Sequence, residues 1–157
     1  MRTWYRFVQI AAITSMAMAP LLAADLLTPE LKQEQDHALA QVVKDLNETC
    51  GSKMSVSFDW KSFEGVDLSG HSPFGLCQEP LKTLGSICDN SEARKARIQE
   101  KIKTLTCVYA GKASEKEQLK EPEIKEVTVR NGGLIWRFNW NAINVNDYMI
   151  EFFKKFL

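Results

Sequence analysis

Four cysteines constrain the fold of this chain more than any other feature of its sequence. Cys50, Cys77, Cys88 and Cys107 all lie beyond an N-terminal segment with the composition of an export signal. An even number of cysteines in an exported chain is typical of disulfides. Successive cysteines are 27, 11 and 19 residues apart, without the close pairs of structural zinc sites or C-x-x-C redox motifs. The pattern therefore predicts two disulfides and no metal centre.

The helices expected around these cysteines narrow the pairing. Pro80 suits the first position of a helix that runs to about Cys88, with Cys77 just before it. Nine helical residues span about 13 Å, whereas bridged Cα atoms lie ~4.4–6.8 Å apart, so Cys77 and Cys88 are not expected to pair. A second helix follows at once, and an antiparallel helical hairpin would bring Cys107 near Cys77. We therefore predict the bridges Cys77–Cys107 and Cys50–Cys88.

The first 24 residues have the pattern of a signal peptide. Two arginines form a short positive region, and the run that follows is apolar or small apart from three polar side chains. This run is shorter than the roughly 20 residues that a membrane-spanning helix needs. We expect cleavage after Ala23 or Ala24, which makes residues 25–157 a single periplasmic or secreted domain without a stable membrane anchor.

Charge and composition exclude several classes of protein. The chain has 20 basic and 20 acidic side chains, 45% hydrophobic residues and 25% charged residues, close to an average globular composition. Removal of the leader takes away two arginines and no acids, which leaves 18 basic against 20 acidic side chains. A slightly acidic domain has no electrostatic bias toward a phosphate backbone, so nucleic-acid binding is not expected.

Hydrophobic periodicity and turn signals divide the mature chain into helices and strands. The predicted order is helix, strand, long loop, two helices, three strands and a final helix. The predicted helices open at Thr28-Pro29, Pro80, Asp89 and Asn146; the strands cover residues 54–61, 104–110, 123–130 and 134–140, and the long loop covers 62–75. Asn131-Gly132-Gly133 predicts a hairpin between the last two strands. We expect a two-layer α+β domain with a mostly antiparallel sheet of about four strands, packed by helices and stapled by two disulfides.

The last strand places a row of aromatic side chains on one face. Trp136, Phe138 and Trp140 alternate along it, and Trp60 extends the row from the first strand. Such a row can line a groove for a sugar, a peptide or an apolar ligand, or it can form the sheet face that helices cover. The first and last helices both need an apolar partner, which favours the core interpretation. Trp60, Trp136 and Trp140 are nevertheless candidate contacts for a ligand or partner.

The long loop adds a fourth candidate contact, His71. Glu64 and Asp67 precede it, but these acids lack the dense alternate spacing of calcium loops, and a lone histidine does not define a metal site. Structureless loops of this length are more often functional than short ones. We therefore group His71 with the three tryptophans and expect neither a metal nor another cofactor.

Known catalytic signatures are missing from the sequence. No serine lies in a G-x-S-x-G turn, and neither of the two histidines belongs to a nucleophile motif. We expect a small exported binding domain for a protein partner or a small ligand, for example an inhibitor or immunity-type protein. Two alternatives stay open: a small periplasmic hydrolase whose carboxylates the fold brings together, and a small-ligand carrier with a closed apolar cavity.

Overall fold

The computed structural model describes residues 27–112, 115–118 and 120–157. The predicted signal peptide lies outside the described residues. The elements are α1 (Pro29–Cys50), β1 (Ser55–Phe58), the 3-10 helix η1 (Trp60–Phe63), α2 (Pro73–Asn90), α3 (Glu92–Lys101), β2 (Thr104–Tyr109), α4 (Glu115–Gln118), β3 (Lys125–Arg130), β4 (Gly133–Phe138) and α5 (Val145–Phe156). Apart from the short η1 and α4, this is the predicted order of helices and strands.

The four strands form one mixed sheet in the order β1-β2-β4-β3. Strand β2 is parallel to both β1 and β4, and β3 is antiparallel to β4. The prediction of a mostly antiparallel sheet is therefore wrong. The chain leaves β1 and passes through α2 and α3 before it enters β2, and such a helical crossover joins parallel strands. The β3–β4 hairpin then inserts β4 beside β2, which adds a second parallel pair.

One face of the sheet is covered by helices, and the other is open. Cys107 in β2 is bridged to Cys77 in α2, which identifies the covered face. Leu105, Trp136 and Phe138 share that face and are buried. The opposite face carries polar side chains, mainly serine, threonine and arginine, that are exposed or half-buried. The domain therefore has the two predicted layers, with its core between the sheet and the helices.

Helix α1 begins and ends where its sequence signals predict. The Thr28 hydroxyl accepts a hydrogen bond from the Leu31 amide at 3.2 Å, and Pro29 occupies the first turn. Gly51 ends the helix in the left-handed conformation, with φ +60°, which suits a residue without a Cβ atom. These local signals fix the path of the chain into β1.

Helix α2 begins at Pro73 rather than at Pro80 as predicted. Ser72 caps it by accepting from the Gly75 amide at 3.3 Å, so Pro80 lies inside the helix. An internal proline lacks the N–H that would bond the carbonyl four residues earlier, here that of Leu76. The Trp136 indole Nε1 donates to this carbonyl at 3.0 Å. The core thus supplies the missing donor, and the helix continues through the proline.

The segment after β1 is more ordered than the sequence predicts. The predicted strand 54–61 ends at Phe58 because the chain turns into η1, and the predicted loop 62–75 shrinks to residues 64–72. The Ser62 hydroxyl stabilises this turn by donating to the Asp59 carbonyl at 2.6 Å and accepting from the Tyr109 amide at 2.9 Å. Phe63, placed in the loop by the sequence analysis, is fully buried in the core.

Two disulfides fasten the elements to one another. Cys50–Cys88 joins the end of α1 to α2, and Cys77–Cys107 joins α2 to β2, with Cα separations of 5.2 and 5.8 Å. This is the pairing that helix geometry predicts. Cys77 lies within α2 rather than just before it, but eleven helical residues still separate it from Cys88 by about 16 Å. Both bridges are compatible with an exported or extracellular protein.

A search of the described residues finds no helix with the length and apolar character needed to cross a membrane. The longest of them, α1, has 22 residues but presents many charged side chains. Its buried apolar side chains lie on the face that packs on α2 and β1, as in an amphipathic surface helix of a globular domain.

Candidate functional site

Trp136, one of the four predicted contact residues, belongs to the core. Its side chain is 0% exposed and its indole nitrogen is bonded to the Leu76 carbonyl. Its ring packs against Phe138 and Tyr148 at centroid distances of 5.7 and 6.2 Å. A ligand has no access to this side chain, so its role is to join β4 to α2.

The other two tryptophans lie in an aromatic cluster at the carboxyl ends of β1, β2 and β4. Phe63 is at its centre, 5.5 Å from the Trp60 ring and 6.3 Å from the Trp140 ring. Tyr109 packs against Trp140 at 4.8 Å, and burial raises the pKa of its hydroxyl. Trp60 donates its Nε1 hydrogen to the Asp36 carboxylate, with distances of 3.1 and 3.2 Å to the two oxygens.

His71 stacks on Trp140 and covers one face of its ring. The ring centroids are 4.8 Å apart and the planes are inclined by 3°. The Trp140 indole nitrogen is buried, and none of the described residues accepts its hydrogen. The structure therefore brings His71, Trp140 and Trp60 into one neighbourhood, but the protein's own side chains already occupy the aromatic surface.

The loop that carries His71 is held by a turn around Asp67. The Asp67 carboxylate accepts from the Ser69 hydroxyl at 2.6 Å and from the Ser69 amide at 3.0 Å, and these two bonds hold its pKa below the usual value. The His71 amide donates to the Leu68 carbonyl at 2.9 Å, which continues the turn. The loop that places His71 against Trp140 is therefore held by its own local hydrogen bonds.

We expect acid to weaken this turn. The folded pKa of Asp67 is below its unfolded value, so the carboxylate contributes stability above pH ~3.9 that is lost as the pH falls through the folded pKa. In an NMR carboxyl titration, Ser69→Ala should raise the pKa of Asp67 part of the way toward the usual value, because the hydroxyl bond, the largest cause of the lowering, is lost while the Ser69 amide bond and the charge of His71 remain. An unchanged midpoint would show that the hydroxyl does not set this pKa.

A second surface feature was not predicted from the sequence: a groove between α1 and the outer edge of β1, here called the edge groove. Its volume is about 750 Å³ and it is open to solvent. Ser55 and Ser57 from one face of β1 and Val56 from the other face all line it, so it follows the strand's edge. Its apolar lining consists of Leu39, Ala40, Val43, Met54 and Val56.

The backbone of β1 presents free hydrogen-bonding groups to the edge groove. The Ser55 and Asp59 amides donate to the Lys103 and Cys107 carbonyls at 3.0 and 2.9 Å. Because backbone groups alternate along a strand, those of Val56 and Phe58 point away from β2. No described part of the chain pairs with these outward groups, since β1 lies at the edge of the sheet.

Side chains of α1 close the two ends of the edge groove. At one end the Asn47 carboxamide accepts from the Met54 amide and donates to the Met54 carbonyl, both at 2.9 Å, as a neighbouring strand would. The Ser52 hydroxyl donates to Asn47 Oδ1 at 2.6 Å and fixes the amide's orientation. At the other end lies the hydrogen bond between Asp36 and Trp60.

Asn47→Ala is expected to lower the free energy of unfolding by about 1–3 kcal/mol, because it leaves the Met54 amide and carbonyl without partners. Urea denaturation measures the loss. Asn47→Asp keeps an acceptor for the Met54 amide but has no donor for the carbonyl, so it should also destabilise the protein. Wild-type stability in both variants would mean that this contact contributes nothing.

The chemistry of the edge groove suits binding better than catalysis. Its carboxylates, Asp36 and Glu48, are twelve residues apart on α1, or about 18 Å along the helix axis. Paired carboxylates of glycosidases lie ~5–9.5 Å apart, so these two cannot act together on one bond. The described residues also contain no group of three or more His, Cys, Asp or Glu placed to hold a metal.

Comparisons of the chain with protein-family models, with curated proteins and with solved structures find no match. Of the two surfaces described above, the aromatic cluster is filled by His71. The edge groove combines an apolar wall with unpaired backbone groups and is open.

Proposed function

We propose that this protein is a small periplasmic or secreted binding domain that engages a protein partner through the edge groove. The observation that carries the proposal is the partly exposed apolar wall beside the free edge of β1. Ala40 is exposed and Val43 and Val56 are half-buried, next to the fully buried Leu39. An exposed apolar surface of this kind, rimmed by polar side chains, is typical of interaction sites.

An inhibitor or immunity-type role is one form of this function. The two disulfides support it, because a pre-organised surface loses little conformational entropy when it binds. The hydrolase alternative receives less support, since the carboxylates of the edge groove are far apart. The carrier alternative calls for a closed cavity between sheet and helices, whereas the edge groove is open and lies beside the sheet.

The proposal is tested by blocking the edge groove with a bulky side chain. Ala40→Trp places an indole against Val43 and Val56, whereas Ala96→Trp adds the same side chain to the exposed surface of α3 as a matched control. Disulfide-intact wild type and both variants are immobilised and challenged with the exported fraction of the source cells, and bound proteins are identified by mass spectrometry.

A partner retained by wild type and by Ala40→Trp alike would contradict the proposal. We expect instead that one partner is retained by wild type and by Ala96→Trp but is lost with Ala40→Trp. Circular dichroism and thermal melting check that both variants are folded, because each substitution is made at an exposed helical position.

A further inference from the structure

We infer that the partner presents an extended peptide segment, which pairs with β1 as a fifth strand of the sheet. This inference rests on the proposed function, because it names the occupant of the edge groove. The outward amides and carbonyls of Val56 and Phe58 need backbone partners, and the wall beside them needs apolar side chains. An extended peptide supplies both, since its backbone groups and side chains alternate in direction.

The two edges of the sheet differ in a way that supports strand addition at β1. Strand β3, the other edge, has the sequence KEVTVR with three charged side chains, and such charges protect an edge from pairing with other chains. Strand β1 has the sequence SVSF, without a charge, a proline or a glycine. The charges of β3 thus disfavour backbone pairing at that edge, while β1 has no such charges and lies beside an apolar wall.

The ends of the edge groove set the length of the paired segment. Asp36 and Asn47 are eleven residues apart on α1, which corresponds to about 16 Å. At about 3.3 Å per residue, a strand of roughly five residues fits between them. Asn47 already occupies the outward groups of Met54, so pairing takes place at Val56 and Phe58 and cannot extend past Asn47.

The walls of the edge groove define the sequence character of the peptide. Side chains that point toward α1 meet Ala40, Val43 and Val56, which favour small or β-branched apolar residues. Side chains that point the other way pass Ser57, which is exposed, and are expected to be polar. The peptide therefore alternates apolar and polar residues and has no proline at the positions that pair.

The probe for this inference is a library of random octapeptides displayed on phage and selected against the disulfide-intact protein. The selected sequences are synthesised, and their affinities are measured by calorimetry. Val56→Pro removes the outward amide of Val56, which does not bond to β2, and proline is tolerated at edge strands where the N–H would face outward. Val129→Pro is the matched control, because it removes an outward-pointing amide from β3, the other edge of the sheet, which lies outside the edge groove.

We expect Val56→Pro to weaken the selected peptides about tenfold or more, which corresponds to the loss of one hydrogen bond, and Val129→Pro to change their affinity little. N-methylation of the peptide at alternate residues should weaken binding, and methylation at the intervening residues should not. This second readout does not depend on whether Val56→Pro folds. The selected sequences should alternate apolar and polar residues over about five positions.

Strand pairing would be overturned if Ala40→Trp weakens the peptides while Val56→Pro and every N-methyl group leave their affinity unchanged. Binding in the edge groove would still hold in that case. Peptides that ignore Ala40→Trp, or a library without binders, would also overturn the inference. The proposed function fails separately, if the captured partner ignores Ala40→Trp. Sedimentation tests whether the strand that pairs with β1 comes from a second copy of this chain. If wild type is a dimer and Val56→Pro is a monomer, the occupant is that second copy and not a peptide segment of another protein.

Discussion

Trp136→Ala is expected to lower the free energy of unfolding by at least about 4 kcal/mol, the largest effect of any single substitution considered for this protein. Truncation of a fully buried tryptophan costs ~3–5 kcal/mol through lost burial and the cavity left behind. The variant also leaves the Leu76 carbonyl without a donor at the position where Pro80 has removed the helical one. Urea unfolding monitored by far-ultraviolet circular dichroism measures the change.

Trp136→Phe separates the two contributions to this effect. The phenyl ring keeps most of the packing against Phe138 but has no N–H for the Leu76 carbonyl. We expect the unpaired carbonyl to cost about 1–3 kcal/mol, in addition to the smaller loss that comes from the volume the phenyl ring leaves unfilled. A loss below about 2 kcal/mol for Trp136→Ala would mean that the core closes around the cavity and that the indole bond is not needed.

Replacement of Cys77 and Cys107 together by alanine is expected to cause the second large loss of stability. The bridge closes a segment with a sequence separation of 30, for which the restriction of the unfolded chain contributes about 3–4 kcal/mol. The double variant should melt well below wild type under oxidising conditions. Under reducing conditions the difference should become small, because wild type then loses the same bridge.

The second bridge provides a matched comparison. Cys50–Cys88 has a sequence separation of 38, and the stabilisation depends only on the logarithm of this length, so the corresponding double variant should lose a similar amount. Differential scanning calorimetry with and without reductant tests both pairs. Equal losses in both conditions would mean that the cysteines act as small buried side chains and that the cross-links contribute nothing.

Much of the fold follows from local signals in the sequence. The Thr28-Pro29 start and the Gly51 end of α1 are right because their hydrogen bonds involve neighbouring residues. The predicted start of α2 at Pro80 is wrong because Ser72-Pro73 and Pro80 both resemble helix starts. The choice between them depends on Trp136, which lies 60 residues away from Leu76 in the chain and stabilises the helix around an internal proline. Sequence spacing alone does not reveal such a bond.

The sheet topology also depends on contacts between residues that are distant in the sequence. A hairpin between β3 and β4 is predictable from Asn131 and Gly132, which have φ +49° and +76° as the turn requires. The order β1-β2-β4-β3 depends instead on which strands the two-helix crossover brings together. Local sequence propensity does not determine which strands become neighbours, and the prediction of mostly antiparallel pairing was wrong for this reason.

The candidate site was predictable only in part. Aromatic character selected Trp60 and Trp140, and the long loop selected His71. His71 stacks on Trp140, and Phe63 lies between Trp140 and Trp60. Aromatic character also selected Trp136, whose side chain is buried in the core. The role of Asn47 cannot be predicted from the sequence, because its partner Met54 becomes a neighbour only after the turn at Gly51. The uncharged SVSF strand was visible in the sequence, but it becomes informative only once β1 is known to be an edge.

We propose that the partner covers the edge groove, and hydrogen–deuterium exchange of the protein with its captured partner tests this most directly. We expect the amides of residues 52–58 and 36–48 to become protected, with the largest change at Val56 and Phe58. The open face of the sheet and α3 should exchange as in the free protein. Protection confined to the His71–Trp140 stack, with Val56 and Phe58 still exchanging freely, would contradict the claim and move the binding site to the aromatic cluster.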